Sequence, residues 1–187
     1  MSTLIINCSY RPNGTAAQLC KLEQERFGHE FNEPATYFLP DVKACHDCDK
    51  KPCKDGVGKC CLPQSNEVRR FVDLILMNDD IVFVTPVYLN APTPKLMAML
   101  TRISSYNDVA GRDLFSNQSA YITAVADISG TQQTISILTS ALNLMGFSFP
   151  SKGNREHILE WKTGKIRGGN LKETTLYLAE RAKGGNE

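Results

Sequence analysis

The sequence predicts an α/β domain: a doubly wound, five-stranded parallel sheet with helices on both faces. Short apolar runs rich in β-branched residues alternate with longer segments whose apolar residues repeat at helical spacing, the pattern of βαβ units. One run, Ile81-Val82-Phe83-Val84, is continuously apolar, as a strand covered on both sides by helices must be. The length, 187 residues, is enough for one such domain with one sizeable core.

The elements follow in order. Leu4-Ile5-Ile6 is the first buried strand. Ala16, Leu19, Cys20 and Phe27 mark a moderately amphipathic helix. Thr36-Tyr37-Phe38-Leu39 makes a second strand, ended by Pro40. From Val42 to Pro63 the periodicity is lost and the chain reads as a cysteine-rich loop. Val68, Phe71, Val72, Ile75 and Leu76 fall at i, i+3, i+4, i+7 and i+8, a strong helix signal. Ile81–Val84 is the third strand, and Leu96, Met99, Leu100 and Ile103 form the next helical stripe. Ala120–Ala126 reads as the fourth strand. Ile135, Leu138, Leu142 and Met145 make a helix stopped by Gly146. Phe147-Ser148-Phe149 is the fifth, short strand, and Leu171–Lys183 a closing helix. No internal repeat or linker divides the chain. Residues 1–187 therefore read as a single domain, with the cysteine-rich loop at 42–63 and a C-terminal tail from about 151.

A net charge of +1 gives no overall field to attract nucleic acid or a membrane surface. No apolar run approaches the ~20 residues of a membrane span, and no basic-then-apolar leader opens the chain. A cytoplasmic location is expected, and there the seven cysteines are normally reduced.

Doubly wound sheets bind ligands beyond the carboxyl ends of their strands. The first such place is "CSYRPNGTA", Cys8–Ala16. A helix begins there, and its unpaired N–H groups and positive dipole end attract anions. Ser9 and Thr15 add hydroxyls, Gly14 lets the backbone approach closely, and Arg11 adds charge. The simpler alternative is an ordinary capped turn. The chain has neither G-x-G-x-x-G nor G-x-x-x-x-G-K-S/T, so a monophosphate suits the loop better than a dinucleotide or ATP. The second place is "TPVYLNAPTPKL", directly after Val84. Tyr88 offers a flat face and Asn90 polar groups, which suits a planar, heteroatom-rich ring; alternatively Tyr88 only packs.

Three segments in order resemble the flavodoxin-like NAD(P)H-dependent FMN reductases, the group that includes iron–sulfur flavoproteins. "CSYRPNGTA" resembles that family's first loop in Ser9, Arg11, Asn13 and Gly14. A cysteine loop, a helix and a strand ending in Pro86-Val87-Tyr88 follow, and then a small polar loop, "VADISGTQQT". The resemblance covers roughly residues 1–150. It implies FMN as cofactor, with its phosphate surrounded by Ser9, Arg11, Asn13, Gly14, Thr15 and Ala16. It implies that Pro86, Val87, Tyr88, Leu89 and Asn90 border the isoalloxazine ring, and that Asp127, Ile128, Ser129 and Gly130 flank its other side. Tyr88 is the side chain expected to touch the ring. Hydride transfer needs no strong acid–base residue, so three histidines are no obstacle. The chain departs from the family's pattern at Ala16, where many relatives carry a hydroxyl, and at Cys8, usually glycine. It departs again at Met97 and Thr101, which stand where relatives have Lys and Asp before Arg102.

Five of the seven cysteines lie between Cys45 and Cys61, which in a cytoplasmic protein points to metal or redox chemistry. Cys45, Cys48, Cys53 and Cys60, or Cys61 in place of Cys60, could ligate a [4Fe–4S] cluster or zinc. Iron–sulfur relatives space their first three cysteines by two residues. Here that holds between Cys45 and Cys48 but not onward to Cys53. Free thiols or a redox disulfide are the alternatives. The resemblance implies an FMN-dependent oxidoreductase that takes a hydride from NAD(P)H and reduces a small acceptor such as a quinone or flavin, as a homodimer or homotetramer. The alternative is an iron–sulfur flavoprotein electron carrier with its cluster in the 45–61 loop.

Overall fold

The computed structural model describes residues 2–28, 34–46, 60–110, 113–126, 128–150, 155–160 and 165–167. Strands and helices alternate along it. They are β1 (Thr3–Asn7), α1 (Thr15–Phe27), β2 (Ala35–Phe38), α2 (Ser65–Leu76), β3 (Asp80–Pro86), α3 (Pro94–Ala110), β4 (Ser119–Ala126), α4 (Thr131–Asn143), β5 (Arg155–Glu160) and β6 (Lys165–Arg167). They form one sheet in the order β2-β1-β3-β4-β5-β6. The first five strands run parallel, and β6 returns antiparallel to β5. The order 2-1-3-4-5 is that of the flavodoxin-like doubly wound sheet.

The register sorts side chains onto two faces, because successive strand residues point opposite ways. Leu4 pairs with Ile81 and Ile6 with Phe83, and these align with Ala120 and Ile122. That face packs against α2, α3 and α4 through Phe71, Ile75, Leu96, Met99, Leu138 and others. Ile5, Val82, Val84 and Val125 face the other way and pack against Ala16, Leu19 and Cys20 of α1. Helix α2 is the plainest case: Val68, Phe71, Val72 and Ile75 are buried at helical spacing.

Helix α1 is less regular because it buries a carboxylate. Glu23 is 1% exposed, and its two oxygens accept hydrogen bonds from Thr123 Oγ1 at 2.8 Å and Arg26 Nη1 at 3.1 Å. A buried charge is tolerated only when paired in this way. The Arg26 guanidinium also lies 4.7 Å from the Phe27 ring centroid.

The expected five-stranded sheet is corrected in two respects. Among the described residues it has six strands, and Phe147-Ser148-Phe149 is not the fifth: Ser148 forms only an isolated bridge to Ser119. Gly146, at φ +96°, turns the chain after α4. Phe147 then enters the core against Phe115, ring centroids 4.7 Å apart. The fifth place is taken by Arg155–Glu160, within the segment read from sequence as a tail. The expected helix at 171–183 lies outside the described residues. Among the described residues, no helix is long and apolar enough to cross a membrane.

Candidate functional site

Strands β1, β3 and β4 end at the same edge of the sheet, since Asn7 pairs with Val84 and Pro86 with Val125. The loops that follow them meet there. The loop after β1 is pinned from below. Cys8 N–H donates to Val84 O at 2.9 Å and Leu39 N–H to Asn7 O at 3.0 Å. Thr93 Oγ1 donates to Cys8 O at 2.9 Å, and Lys95 Nζ to Ser9 O at 3.1 Å. Asn7 Oδ1 accepts Ser9 N–H, and Ser9 Oγ accepts Arg11 N–H, both at 3.0 Å. The carbonyls of residues 7–9 are thus all turned inward and satisfied.

Beyond this anchored stretch the loop offers donors. Gly14 caps α1 with no side-chain hydrogen bond, and no acidic residue lies in the first turn. The N–H groups of Thr15 and Ala16 find no acceptor among the described residues. The Ser9 hydroxyl, which accepts from Arg11 N–H, keeps its own proton to donate. The Arg11 and Asn13 side chains are exposed beside it. An uncapped helix start with a guanidinium and a hydroxyl at hand is suited to a small anion.

The loop after β3 makes a tight reversal. Tyr88 and Ala91 exchange backbone hydrogen bonds, Tyr88 N–H to Ala91 O at 2.8 Å and Ala91 N–H to Tyr88 O at 3.0 Å. Leu89 and Asn90 between them have φ of +51° and +61°. This is the two-residue turn that takes left-handed backbone at both central positions. Leu89 is uncommon there, and its side chain is fully exposed. The N–H groups of Leu89 and Asn90 find no acceptor among the described residues and face no competing partner. Tyr88 is half-exposed and meets the Tyr10 ring edge-on, with centroids 6.3 Å apart.

The loop after β4 closes against this turn through Gly130. Its φ is +97°, and a Cβ there would stand 2.8 Å from Asn90 Cα and 3.0 Å from Val87 Cγ1, and closer still to Asn90 Oδ1. Ile128 and Ser129 are exposed beside it. Asp127 lies outside the described residues.

The edge therefore joins an anion-accepting helix start, a backbone turn with free donors and an aromatic side chain, as a phosphate-bearing planar cofactor requires. Of the residues expected from sequence, Ser9, Arg11, Asn13 and Gly14 lie in the loop after β1 and Thr15 and Ala16 open α1, while Pro86 ends β3 and Val87–Asn90 lie in the adjoining loop. Ala16 is buried, so only its backbone faces a ligand at that position.

Sequence reasoning missed Tyr10, Thr93 and Lys95. Thr93 caps α3, its Oγ1 accepting Leu96 N–H at 3.3 Å, with Pro94 in the favoured first position. That leaves Lys95 in the first turn of α3, where a cation opposes the helix dipole. This misplacement is the signal that could have singled it out.

The cysteine loop is only partly described. Cys48 and Cys53 lie outside the described residues, and among the described ones no group of three His, Cys, Asp or Glu is placed to hold a metal. Cys45 rests on α3: its N–H donates to Thr101 Oγ1 at 3.4 Å, and its Sγ lies 3.7 Å from Ser105 Oγ. Arg102 holds the far end of the loop by donating to Pro63 O at 2.6 Å and Leu62 O at 3.5 Å. Thr101, a departure from the family's pattern, and Arg102, which keeps it, thus anchor both ends of the cysteine loop.

A family model described as NADPH-dependent FMN reductase matches residues 1–154. Among solved structures, RosB with a bound 8-demethyl-8-formylriboflavin-5'-phosphate intermediate is similar at 17% identity and TM-score 0.67, over 89% of this chain and 68% of that one. The Trp repressor binding protein from Bacillus subtilis is similar at 18% identity and TM-score 0.61, over 95% of both chains. An azoreductase from Bacillus anthracis str. Sterne is similar at 17% identity and TM-score 0.59, over 100% of this chain and 99% of that one. Among curated proteins none matches the sequence.

Proposed function

The chain belongs to the NADPH-dependent FMN reductase family, and from that premise we propose that it holds FMN at the edge beyond β1 and β3, takes a hydride there from NAD(P)H and passes the electrons to a small acceptor such as a quinone or a free flavin. The observation that carries the reading is the uncapped start of α1 beside the Leu89–Asn90 turn. Both stand where β1 and β3 adjoin, the switch point at which sheets of this order bind their ligand.

Bound FMN supplies the hydride-accepting ring. The protein's part is to bind, orient and polarise. Thr15 and Ala16 N–H groups, the Ser9 and Thr15 hydroxyls and the Arg11 guanidinium receive the phosphate. Gly14 and Asn13 complete that loop. The N–H groups of Leu89 and Asn90 would be the donors for the ring's polar edge and would favour negative charge there. Pro86, Val87 and Tyr88 border one side, and Ile128, Ser129 and Gly130 the other. Tyr88, Leu89 and Ile128 give the mouth of the site an exposed apolar rim, which favours a flat, weakly polar acceptor.

Anaerobic mixing of the FMN-loaded protein with excess NADH or NADPH tests the reading. Rapid bleaching of the flavin band is expected with at least one nucleotide, and ping-pong kinetics with a quinone. A flavin band unchanged by either nucleotide would overturn it.

Arg11 gives a separate check on the phosphate. Its guanidinium makes no ion pair among the described residues, so the ligand is its natural partner. Arg11→Ala is expected to weaken FMN by about 1.5–3 kcal/mol, the worth of a charged hydrogen bond, and to leave riboflavin unchanged. Titration of both ligands measures the difference, and equal weakening would remove Arg11 from the phosphate site.

A further inference from the structure

Lys95 is 2% exposed, yet among the described residues no carboxylate lies within ion-pair distance of it. Its Nζ donates to Ser9 O at 3.1 Å and lies 3.8 Å from the Phe38 ring centroid and 5.6 Å from that of Tyr10. A carbonyl and two π faces stabilise an ammonium only in part. The first turn of α3 adds the positive end of a dipole, which works against it. Among the described residues Asp41 acts on it only from beyond ion-pair distance, so its counter-charge is incomplete, and burial costs are repaid only by close pairing.

Its position tells what completes the counter-charge. Ser9 is both the residue Lys95 grips and the start of the donor-bearing loop. Holding the Ser9 carbonyl inward leaves the donors of Ser9, Arg11, Thr15 and Ala16 to the ligand side. We infer that Lys95 is a positioning residue for the phosphate of the flavin: it locks the loop after β1 in its receiving form and sets a fixed positive charge behind it, selecting a phosphomonoester dianion over an uncharged flavin. This rests on the FMN reading above.

The proposal has a pH signature. Among the described residues, the titratable groups around Lys95 are the Cys8 thiol, the Tyr10 hydroxyl and the Asp41 carboxylate. Burial pushes the Lys95 ammonium below its usual range, opposed by Cys8 and Asp41. Burial pushes the Cys8 thiol and the Tyr10 hydroxyl up, so both ionise later than usual. The phosphate is already a dianion above its second pKa, about 6. Burial therefore makes Lys95 begin to lose its charge at lower pH than an exposed lysine as the pH is raised from about 7 toward 10. FMN affinity falls with it relative to that of riboflavin, whose ring ionises as FMN's does.

The experiment measures FMN and riboflavin dissociation constants across that pH range by flavin fluorescence, with circular dichroism to confirm folding. It uses the unaltered protein, Lys95→Met and Lys95→Gln. In the unaltered protein the preference for FMN over riboflavin should shrink as pH rises, a reading that needs no variant to fold. At pH about 7, Lys95→Met should lose roughly tenfold or more in FMN affinity, a charged hydrogen bond's worth, and less than about twofold in riboflavin affinity. Lys95→Gln, which can still donate to Ser9 O, should recover part of the loss but show no pH slope. A pH-independent preference, or equal loss of both ligands, would overturn the role of Lys95 while leaving the FMN reading intact. Failure of the unaltered protein to prefer FMN at any pH would overturn both.

Discussion

Replacing Phe83 by alanine is expected to cost about 3–5 kcal/mol of folding stability, the usual range for emptying a buried aromatic position. Phe83 lies in β3, which has β1 on one side and β4 on the other. Its side chain is fully buried. It meets Phe147 edge-on at 6.1 Å between ring centroids, and Phe147 leans on Phe115 in turn. A cavity there cannot collapse easily, because paired strands on both sides hold the backbone in place. Domains of this size are stable by only about 5–15 kcal/mol, so the variant should approach the threshold of folding. Urea titration gives the measurement, and a shift worth less than about 1 kcal/mol would show that the surrounding helices close the gap.

The second large effect falls on the site. Gly130→Val should cost about 1–3 kcal/mol through its backbone alone, since φ near +97° is strained for any residue with a Cβ. The new side chain must also displace the turn at Val87–Asn90, whose Cα and side-chain atoms already stand within 3.0 Å of where its Cβ would lie. That turn carries the donors assigned to the ring of FMN. Flavin affinity should therefore fall together for FMN and riboflavin, unlike the phosphate-selective loss expected for Arg11→Ala. Parallel titrations distinguish the two patterns. Unchanged riboflavin binding in a folded Gly130→Val protein would separate the loop after β4 from the ring site.

Some of this molecule is plain in its sequence. Helix α2 shows itself through Val68, Phe71, Val72 and Ile75, because one apolar stripe facing a sheet leaves a 3.6-residue rhythm. Strand β3 shows itself through Ile81–Val84, because burial on both faces leaves no place for polar residues. The loop Ser9–Ala16 was visible as a polar break after an apolar strand, and the turn Pro86–Asn90 through the proline that ends the next. Strand β5 was not. Arg155–Glu160 joins the sheet beside β4 and carries charged residues at both ends. Phe147-Ser148-Phe149 imitated a strand because one of its aromatics fills the core without joining the ladder.

The residues by themselves determined the alternation of elements, the two site loops and the resemblance to a flavin-binding family, since each of these is written in local pattern and short-range spacing. Only the tertiary structure decided that Gly130 closes on Asn90, that Thr101 and Arg102 anchor the ends of the cysteine loop, and that Lys95 reaches under Ser9, 86 residues away along the chain. Those contacts depend on which helix start is brought beside which strand end. A parallel sheet joins distant parts of the chain through crossovers, and local periodicity carries no information about the far partner.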